Sequence, residues 1–192
     1  MTSDDLQGSR VRRVTCHSSL ATAPMHLRSF RPADLQTLYE IDQACFPPGI
    51  SYSRDEIARF IAKQGSRTWV AEADDEIVGF LTADRHPTML LGHVITVDVV
   101  EGWRRRGVGS ALMDAAEEWA RQEGFAAISL ETGENNLAAQ AFYEARGYSR
   151  YEKLERYYAN GEGAWITVKW LKEGHRAQAR AAPRSRKRKD KR

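Results

Sequence analysis

The sequence contains little cysteine, only Cys16 and Cys45 among 192 residues. Two cysteines form neither a disulfide framework nor a zinc-binding spacing, and free thiols are typical of a reducing compartment. No apolar run approaches the roughly 18 residues that cross a bilayer, and the N-terminus lacks the continuous apolar stretch of a secretory signal. We therefore expect a cytoplasmic protein with no membrane span and no bound metal.

Charge is distributed unevenly along the chain. The formal net charge is +3, but residues 172–192 carry 10 Lys/Arg and 2 Asp/Glu, a net of +8, and the remainder has a net of −5. Residues 1–24 show no sustained hydrophobic period and are rich in Ser, Thr and Arg. The composition predicts a disordered extension over 1–24, one folded domain over 25–171 and a disordered basic tail over 172–192.

Hydrophobic periodicity divides the folded domain into strands and helices. Ser53 and Glu56 match a capping box at a helix start, and Asp74-Asp75 is a turn between two strand-like segments. Hairpins mixed with helical crossovers imply an α/β fold with a mixed sheet covered by helices. The predicted strands span 26–31, 68–73, 77–83, 92–100, 127–130, 148–158 and 164–171, and the predicted helices span 32–45, 107–123 and 136–146, with a further one beginning at 53.

The junction between the strand over 92–100 and the next helix has the character of an anion site. It combines three arginines with Gly107 and Gly109 at a helix start, where backbone N–H groups and the helix dipole favour a pyrophosphate. No Gly-Lys-Ser/Thr follows, so it is not a Walker A loop, and the third glycine of a dinucleotide fingerprint would fall on Leu112. Considered alone, the segment equally fits an ordinary helix start with a solvated basic face.

Three motifs in order resemble the GNAT superfamily of N-acetyltransferases. Arg104-x-x-Gly107-x-Gly109 resembles its acetyl-CoA pyrophosphate loop, and LETGENNLAAQAFYEARGY over 130–148 resembles its second motif, N-x-x-A-x-x-[FL]-Y-E-x-x-G-[FY]. YYANGEGA over 157–164 resembles the hairpin of RimI-like and archaeal N-terminal acetyltransferases, with Gly163 where aspartate is common. The resemblance covers about Met25–Leu171. It implies a GNAT fold, with a mixed, mostly antiparallel sheet of about seven strands flanked by about four helices, and acetyl-CoA as co-substrate.

The resemblance also implies roles for single residues. Glu131 corresponds to the general base of RimI-like enzymes, and Tyr143 to the tyrosine that donates a proton to the departing CoA thiolate. The loop over 45–53 corresponds to a segment that helps form the acceptor site. The implied acetyl-CoA contacts are the pantetheine-pairing backbone of Val97, Asp98 and Val99, the pyrophosphate loop of Arg104, Arg105, Arg106, Gly107, Val108, Gly109 and Ser110, and Asn136 and Tyr143 near the thiol; no metal is implied.

These residue types fit direct transfer to an amine. A protonated amine has no lone pair, so it must lose a proton before it attacks the thioester. A peptide α-amine has a pKa of roughly 7.7–8.0 against about 10.4 for lysine, so a carboxylate base suffices for a protein N-terminus. The thiolate then leaves more easily when a nearby hydroxyl protonates it. No covalent acyl-enzyme is required.

Each candidate also has a structural interpretation. Tyr143 fits a core position, Glu131 fits a solvated strand end, and Asn136 fits a helix N-cap. Asp98 and Glu101 are rival acids, although a carboxylate between two β-branched residues more often faces solvent or an ion pair. A histidine at position 93 is more often structural than a ligand.

Three functions therefore remain open from the sequence. The first is N-terminal acetylation of a protein, as in RimI-like enzymes, whose acceptor includes a ribosomal protein. The second is acetylation of a small-molecule amine or a lysine side chain. The third is a non-catalytic module that binds acetyl-CoA or, through the tail over 172–192, RNA or the ribosome by sequence-blind phosphate contacts; a solubilising end explains the same tail.

Overall fold

The computed structural model describes residues 24–172, so nearly all of the predicted N-terminal extension and basic tail lie outside the described residues. Within this range no helix is long and apolar enough to cross a bilayer. The elements are β1 (His26–Ser29), a 3-10 helix (Pro32–Asp34), α1 (Leu35–Cys45), α2 (Arg54–Ala62), β2 (Arg67–Ala73), β3 (Glu76–Arg85), β4 (Leu91–Val99), a 3-10 helix (Glu101–Trp103), α3 (Val108–Gln122), β5 (Ala127–Gly133), α4 (Leu137–Ala145), β6 (Ser149–Leu154) and β7 (Ala164–Trp170).

The seven strands form one sheet in the order β1-β2-β3-β4-β5-β7-β6. Every neighbouring pair is antiparallel except β4 and β5, which are parallel because α3 crosses over between them. The structure thus has the predicted fold, a mixed and mostly antiparallel sheet with four α-helices.

The sheet opens between β4 and β5. The two strands pair at only three positions, from Leu91↔Ala127 to His93↔Ser129. Beyond these positions β4 continues against β3, and β5 continues against β7. A wedge-shaped gap therefore separates the second halves of the two central strands.

Helices cover both faces of the sheet. On one face, α3 and part of α4 pack into a large core with Leu81, Leu112 and Ile128. On the other, α1 packs on Val70 and Phe80 in a smaller core. A bulge in β4, between the pairs Thr82↔Thr96 and Ala83↔Val94, changes which residues face each core. After the bulge Val97 and Val99 face the α3 side.

Local signals position several elements correctly. Asp74 and Asp75 have φ of 51° and 61° and form the β2–β3 turn, since short polar side chains tolerate this conformation. Both bonds of the Ser53–Glu56 capping box are present at the start of α2. The strand predicted over 148–158 is wrong at its end. β6 stops at Leu154, because the backbone turns at Arg156 with φ of 51°, and residues 155–163 form a long loop.

Candidate active site

The predicted pyrophosphate loop lies at the mouth of the gap. Gly107 has φ of 87° at the start of α3, a left-handed conformation that favours glycine. The first backbone hydrogen bond of α3 runs from the Ala111 amide to the Gly107 carbonyl. The amides of residues 108–110 precede this bond, so they point out of the helix. This geometry fits an anionic ligand at the end of β4.

The three arginines of this loop differ in their contacts. Arg104 donates from Nε to the Val99 carbonyl oxygen at 3.0 Å, which ties the loop to the end of β4. Arg106 stacks over Trp103, with its guanidinium 5.2 Å from the ring centre. All three arginines are exposed. Their charge therefore surrounds the helix start rather than entering the core.

Tyr143 lies in α4 and points into the larger core. It is 7% exposed and packs against Phe142 and Tyr148, with ring centres 5.3 and 5.7 Å away. Burial, reinforced by the nearby Asp98 carboxyl, raises the pKa of Tyr143 above its usual value. The hydroxyl is therefore protonated over the physiological range and is suited to donate.

Asn136 is the N-cap of α4. Its Oδ1 accepts a hydrogen bond from the Ala139 amide at 3.1 Å, and the side chain is exposed. The buried Gln140 strengthens the same turn by donating to the carbonyl oxygens of Gly133 and Glu134, at 2.8 and 3.0 Å. These contacts fix the β5–α4 turn, and with it the position of Tyr143 two turns along the helix.

Glu131 lies in the gap on the face opposite to Tyr143, because its neighbour Leu130 points into the α3-side core. Its Oε2 is 2.7 Å from His93 Nε2, and His93 Nδ1 is 3.4 Å from Asp84 Oδ1. Burial alone would lower the pKa of His93, but the carboxylates of Glu131 and Asp84 outweigh it and raise the pKa to about 10.

His93 was expected to be structural, but it contacts Glu131 and Asp84. Asp84 and His93 are directly opposed in the β3–β4 ladder, and His93 pairs with Ser129, two residues before Glu131 on the same face. Only the register of three strands brings the three side chains together. No short-range pattern in the sequence carries that information, although a histidine and an acid on adjacent strands are the chemical hint.

The rival acids are placed elsewhere. Asp98 was expected to face solvent or an ion pair, and this is wrong: it is 0% exposed, and its Oδ1 has no hydrogen-bond partner within residues 24–172. Burial and the nearby Asp42 raise its pKa well above the usual value. Glu101 is exposed beyond the far end of β4, roughly 20 Å or more from His93 at about 3.3 Å per strand residue. Of the three acids, Glu131 is the one that contacts His93.

Two loops, residues 46–53 and 155–163, contact each other, and the space between them is here called the acceptor cleft, after the role that the resemblance implies for the first loop. They meet where the Ala159 amide donates to the Gly49 carbonyl oxygen at 3.1 Å. A Cβ on Gly49 would approach the Asn160 nitrogen to 2.9 Å, so this junction requires glycine. The first loop is fixed in turn by the Tyr52 amide, which donates to Asp42 Oδ2 at 2.8 Å.

Tyr158 lies half-buried in the second loop, next to the Ala159 amide that joins the two loops. Burial raises its pKa, and so do nearby groups that include Tyr52, Glu131 and Tyr143. In the sequence Tyr158 is part of the motif over 157–164, and nothing else in the pattern marks it as a site residue.

The structure explains why Gly163 stands where aspartate is common in similar hairpins. The Gly163 amide donates to Glu134 Oε1 at 2.9 Å, and the Asn135 amide donates to Glu162 Oε1 at 3.1 Å. A Cβ at position 163 would lie 2.9 Å from Glu134 Oε1. An aspartate there would meet a second carboxylate, so glycine suits this pair of reciprocal contacts between the second loop and the start of α4.

The fold, the gap and the loop at its mouth define an acetyltransferase, and comparison with known proteins agrees. The model of the Acetyltransferase (GNAT) family matches residues 35–148. The chain belongs to this family, which confirms the predicted fold, the enzyme class and acetyl-CoA as co-substrate.

Several relatives share most of the domain. The chain is 28% identical to an N-alpha-acetyltransferase of Sulfurisphaera tokodaii over 152 residues, which cover 73% of this chain and 89% of the relative. It is 32% identical to N-alpha-acetyltransferase 30 of Schizosaccharomyces pombe, covering 59% and 78% of the two chains. The crystal structure of Ard1 from Thermoplasma volcanium superposes with a TM-score of 0.71 at 26% identity, covering 78% of this chain and 99% of that one.

Proposed function

We propose that this enzyme acetylates the α-amine of a protein N-terminus, with Glu131 as the proton acceptor and Tyr143 as the proton donor. The observation that carries the proposal is that Glu131 lies beside the β4–β5 gap, on the face of β5 opposite to the core that holds Tyr143. An acceptor amine that enters through the acceptor cleft meets Glu131. The sulfur of acetyl-CoA meets Tyr143.

This arrangement supports direct transfer. Glu131 removes a proton from the acceptor ammonium, and the freed amine attacks the thioester carbonyl carbon. The C–N bond forms, the tetrahedral intermediate collapses, and the C–S bond breaks. The Tyr143 hydroxyl donates to the departing sulfur, which leaves as the CoA thiol. The nitrogen loses its second proton as the amide forms, this proton restores the Tyr143 hydroxyl, and Glu131 releases the first proton to solvent.

The α-amine is favoured over other acceptors on two grounds. Its pKa of roughly 7.7–8.0 leaves roughly a tenth or more of the amine deprotonated at pH 7, far more than for a lysine, so a carboxylate can remove the proton from the rest. The relatives from S. tokodaii and S. pombe are named N-alpha-acetyltransferases.

Replacing Glu131 with glutamine is expected to lower kcat/KM for a peptide N-terminus about 10-fold at pH 8 and more at pH 6.5. The loss grows as pH falls because less of the α-amine is then deprotonated without help. CoA-thiol release, followed with peptides, polyamines and free lysine, measures it. Glu118→Gln, at an acid on α3 whose side chain is 57% exposed and pairs with Arg121, is the control. An equal loss of kcat/KM at both pH values would show that Glu131 is not the base.

A further inference from the structure

Four charged side chains form a line from helix α2 to the acceptor cleft. Lys63, directly after α2, pairs with Asp84 Oδ2. Asp84 Oδ1 contacts His93 Nδ1 at 3.4 Å, and His93 Nε2 contacts Glu131 Oε2 at 2.7 Å. The charges alternate along this line, here called the charge line. Asp84 and His93 have side chains only 4% and 19% exposed, so solvent screens them weakly.

Hydrogen-bond chemistry restricts the protonation of the central histidine. An ionised carboxylate only accepts, and a neutral imidazole has a single N–H. His93 presents one ring nitrogen to Asp84 and the other to Glu131. With a neutral ring, one of these contacts would set a lone pair against a carboxylate oxygen. Both contacts are favourable only when both nitrogens carry protons.

Other charged groups near His93 do not outweigh the two carboxylates that favour the doubly protonated ring. His86, which follows β3, feels the charge of His93 and has its pKa lowered, first by burial and then by that charge. The cation of Lys63 is compensated by Asp84, with which it pairs directly. The charged and titratable groups facing His93 are Asp84 from β3, Glu131 from β5, Lys63 from the end of α2 and His86 from the β3–β4 loop.

We propose that Asp84, supported by Lys63, is a positioning residue that keeps His93 a permanent imidazolium, so that His93 clamps Glu131 and does not itself act as a base. This inference rests on the proposed function of Glu131. His93 then has no lone pair with which to accept a proton from the acceptor. Glu131 is oriented by a charged hydrogen bond.

The charge line also influences which amines react. A carboxylate paired with a cation is a weak base, because the cation stabilises its ionised form. Such a base is sufficient for an amine that is already partly deprotonated at neutral pH, and is poorly matched to a lysine ammonium with a pKa of about 10.4. The charge line thus selects α-amines by basicity, in addition to any selection by the shape of the cleft.

The direct test is the NMR titration of His93 in the full chain labelled at histidine Cε1. The sequence has five histidines, so His93→Gln identifies the signal. In the wild-type protein we expect the His93 signal to stay at its imidazolium position from pH 6 to pH 8.5. In Asp84→Asn, the loss of one of two neighbouring carboxylates lowers the pKa of His93 by about 1–3 units, so in a titration continued to pH 10 the midpoint of the signal falls below that of the wild type. A wild-type His93 that titrates between pH 6 and 8.5 would overturn the proposal.

Lys63→Met is the matched control within the charge line. It removes one charge but leaves both carboxylates against His93, so His93 is expected not to titrate below pH 8.5. If Asp84 were merely structural, Lys63→Met and Asp84→Asn would both leave the His93 titration as in the wild type. That result in a folded Asp84→Asn protein would refute the proposal, and the wild-type titration decides the matter even if that variant fails to fold.

Kinetics separates this inference from the proposed function. The pH profile of kcat/KM on a peptide should show one inflection in the wild type, near the acceptor α-amine pKa of roughly 7.7–8.0. Asp84→Asn should add a second inflection at the pH where its His93 signal titrates. Absence of turnover on peptides would refute the proposed function while the NMR result stands. A single unchanged inflection in an active Asp84→Asn enzyme would refute the role of Asp84.

Discussion

Replacing Tyr143 with phenylalanine is expected to lower kcat by about 10²- to 10⁴-fold, the usual contribution of a positioned proton donor. The ring is 7% exposed and packed on Phe142 and Tyr148, so phenylalanine fills the same space and removes only the hydroxyl. Since the pKa of Tyr143 is raised by burial, the lost group is a neutral donor throughout the working pH range. Single-turnover and steady-state CoA release measure the effect.

Tyr148→Phe is the control for this substitution. Its ring touches Tyr143 at 5.7 Å between centres, but its hydroxyl faces Glu117 at 3.4 Å rather than the gap. We expect kcat to remain within about threefold of the wild type, since no donor at the sulfur is lost. Equal losses in the two variants, or a fully active Tyr143→Phe enzyme with an unchanged KM for acetyl-CoA, would contradict the assignment of Tyr143.

Replacing Glu117 with alanine is expected to lower the free energy of unfolding by about 3–5 kcal/mol, as for other broken buried ion pairs. Its side chain is 3% exposed and contacts Lys169 Nζ at 2.6 Å and Arg146 Nη2 at 3.0 Å. The carboxylate connects α3, the end of α4 and β7. Its removal takes the counter-charge from Lys169, whose side chain is 22% exposed, and leaves Arg146 with Asp114 as its remaining carboxylate partner. Urea denaturation at pH 7 measures the change.

Glu118→Ala is the neighbouring control. That side chain is 57% exposed and pairs only with Arg121 on the same helix among the ion pairs of residues 24–172. Its loss should leave the unfolding free energy within about 0.5 kcal/mol of wild type, as is usual for exposed pairs. Similar small effects in both variants would show that the Glu117 contacts contribute little beyond solvated ion pairs.

Local signals were sufficient to predict most of the fold. Short-range chemistry determines the capping box at Ser53, the Asp74-Asp75 turn and the glycine at position 107, so these features follow from residues close together in the sequence. The length of β6 did not follow, because its end depends on Arg156 adopting positive φ inside a loop that packs against Gly49. That contact joins segments more than one hundred residues apart.

The parts of the candidate site that lie in continuous sequence motifs could be predicted. The parts that depend on how the strands pair could not. The loop over 104–110 and the helix that carries Tyr143 are continuous motifs. The contact of His93 with Glu131 and Asp84 arises from the pairing of β3, β4 and β5, which one sequence does not reveal. The prediction that Asp98 faces solvent or an ion pair was wrong for a similar reason. The β4 bulge alters the alternation, and Asp98 faces the buried α1 side opposite Phe80.

The most direct test of the central claim is the position of the acetyl group on a peptide that offers two amines. The substrate is an unblocked peptide with one free α-amine and one internal lysine, incubated with acetyl-CoA and the wild-type enzyme, and the product is fragmented by tandem mass spectrometry. Acetylation at the α-amine, with the lysine unmodified, is the result that we predict. Acetylation at the lysine side chain, or CoA release with small amines and no modified peptide, would contradict the proposed function.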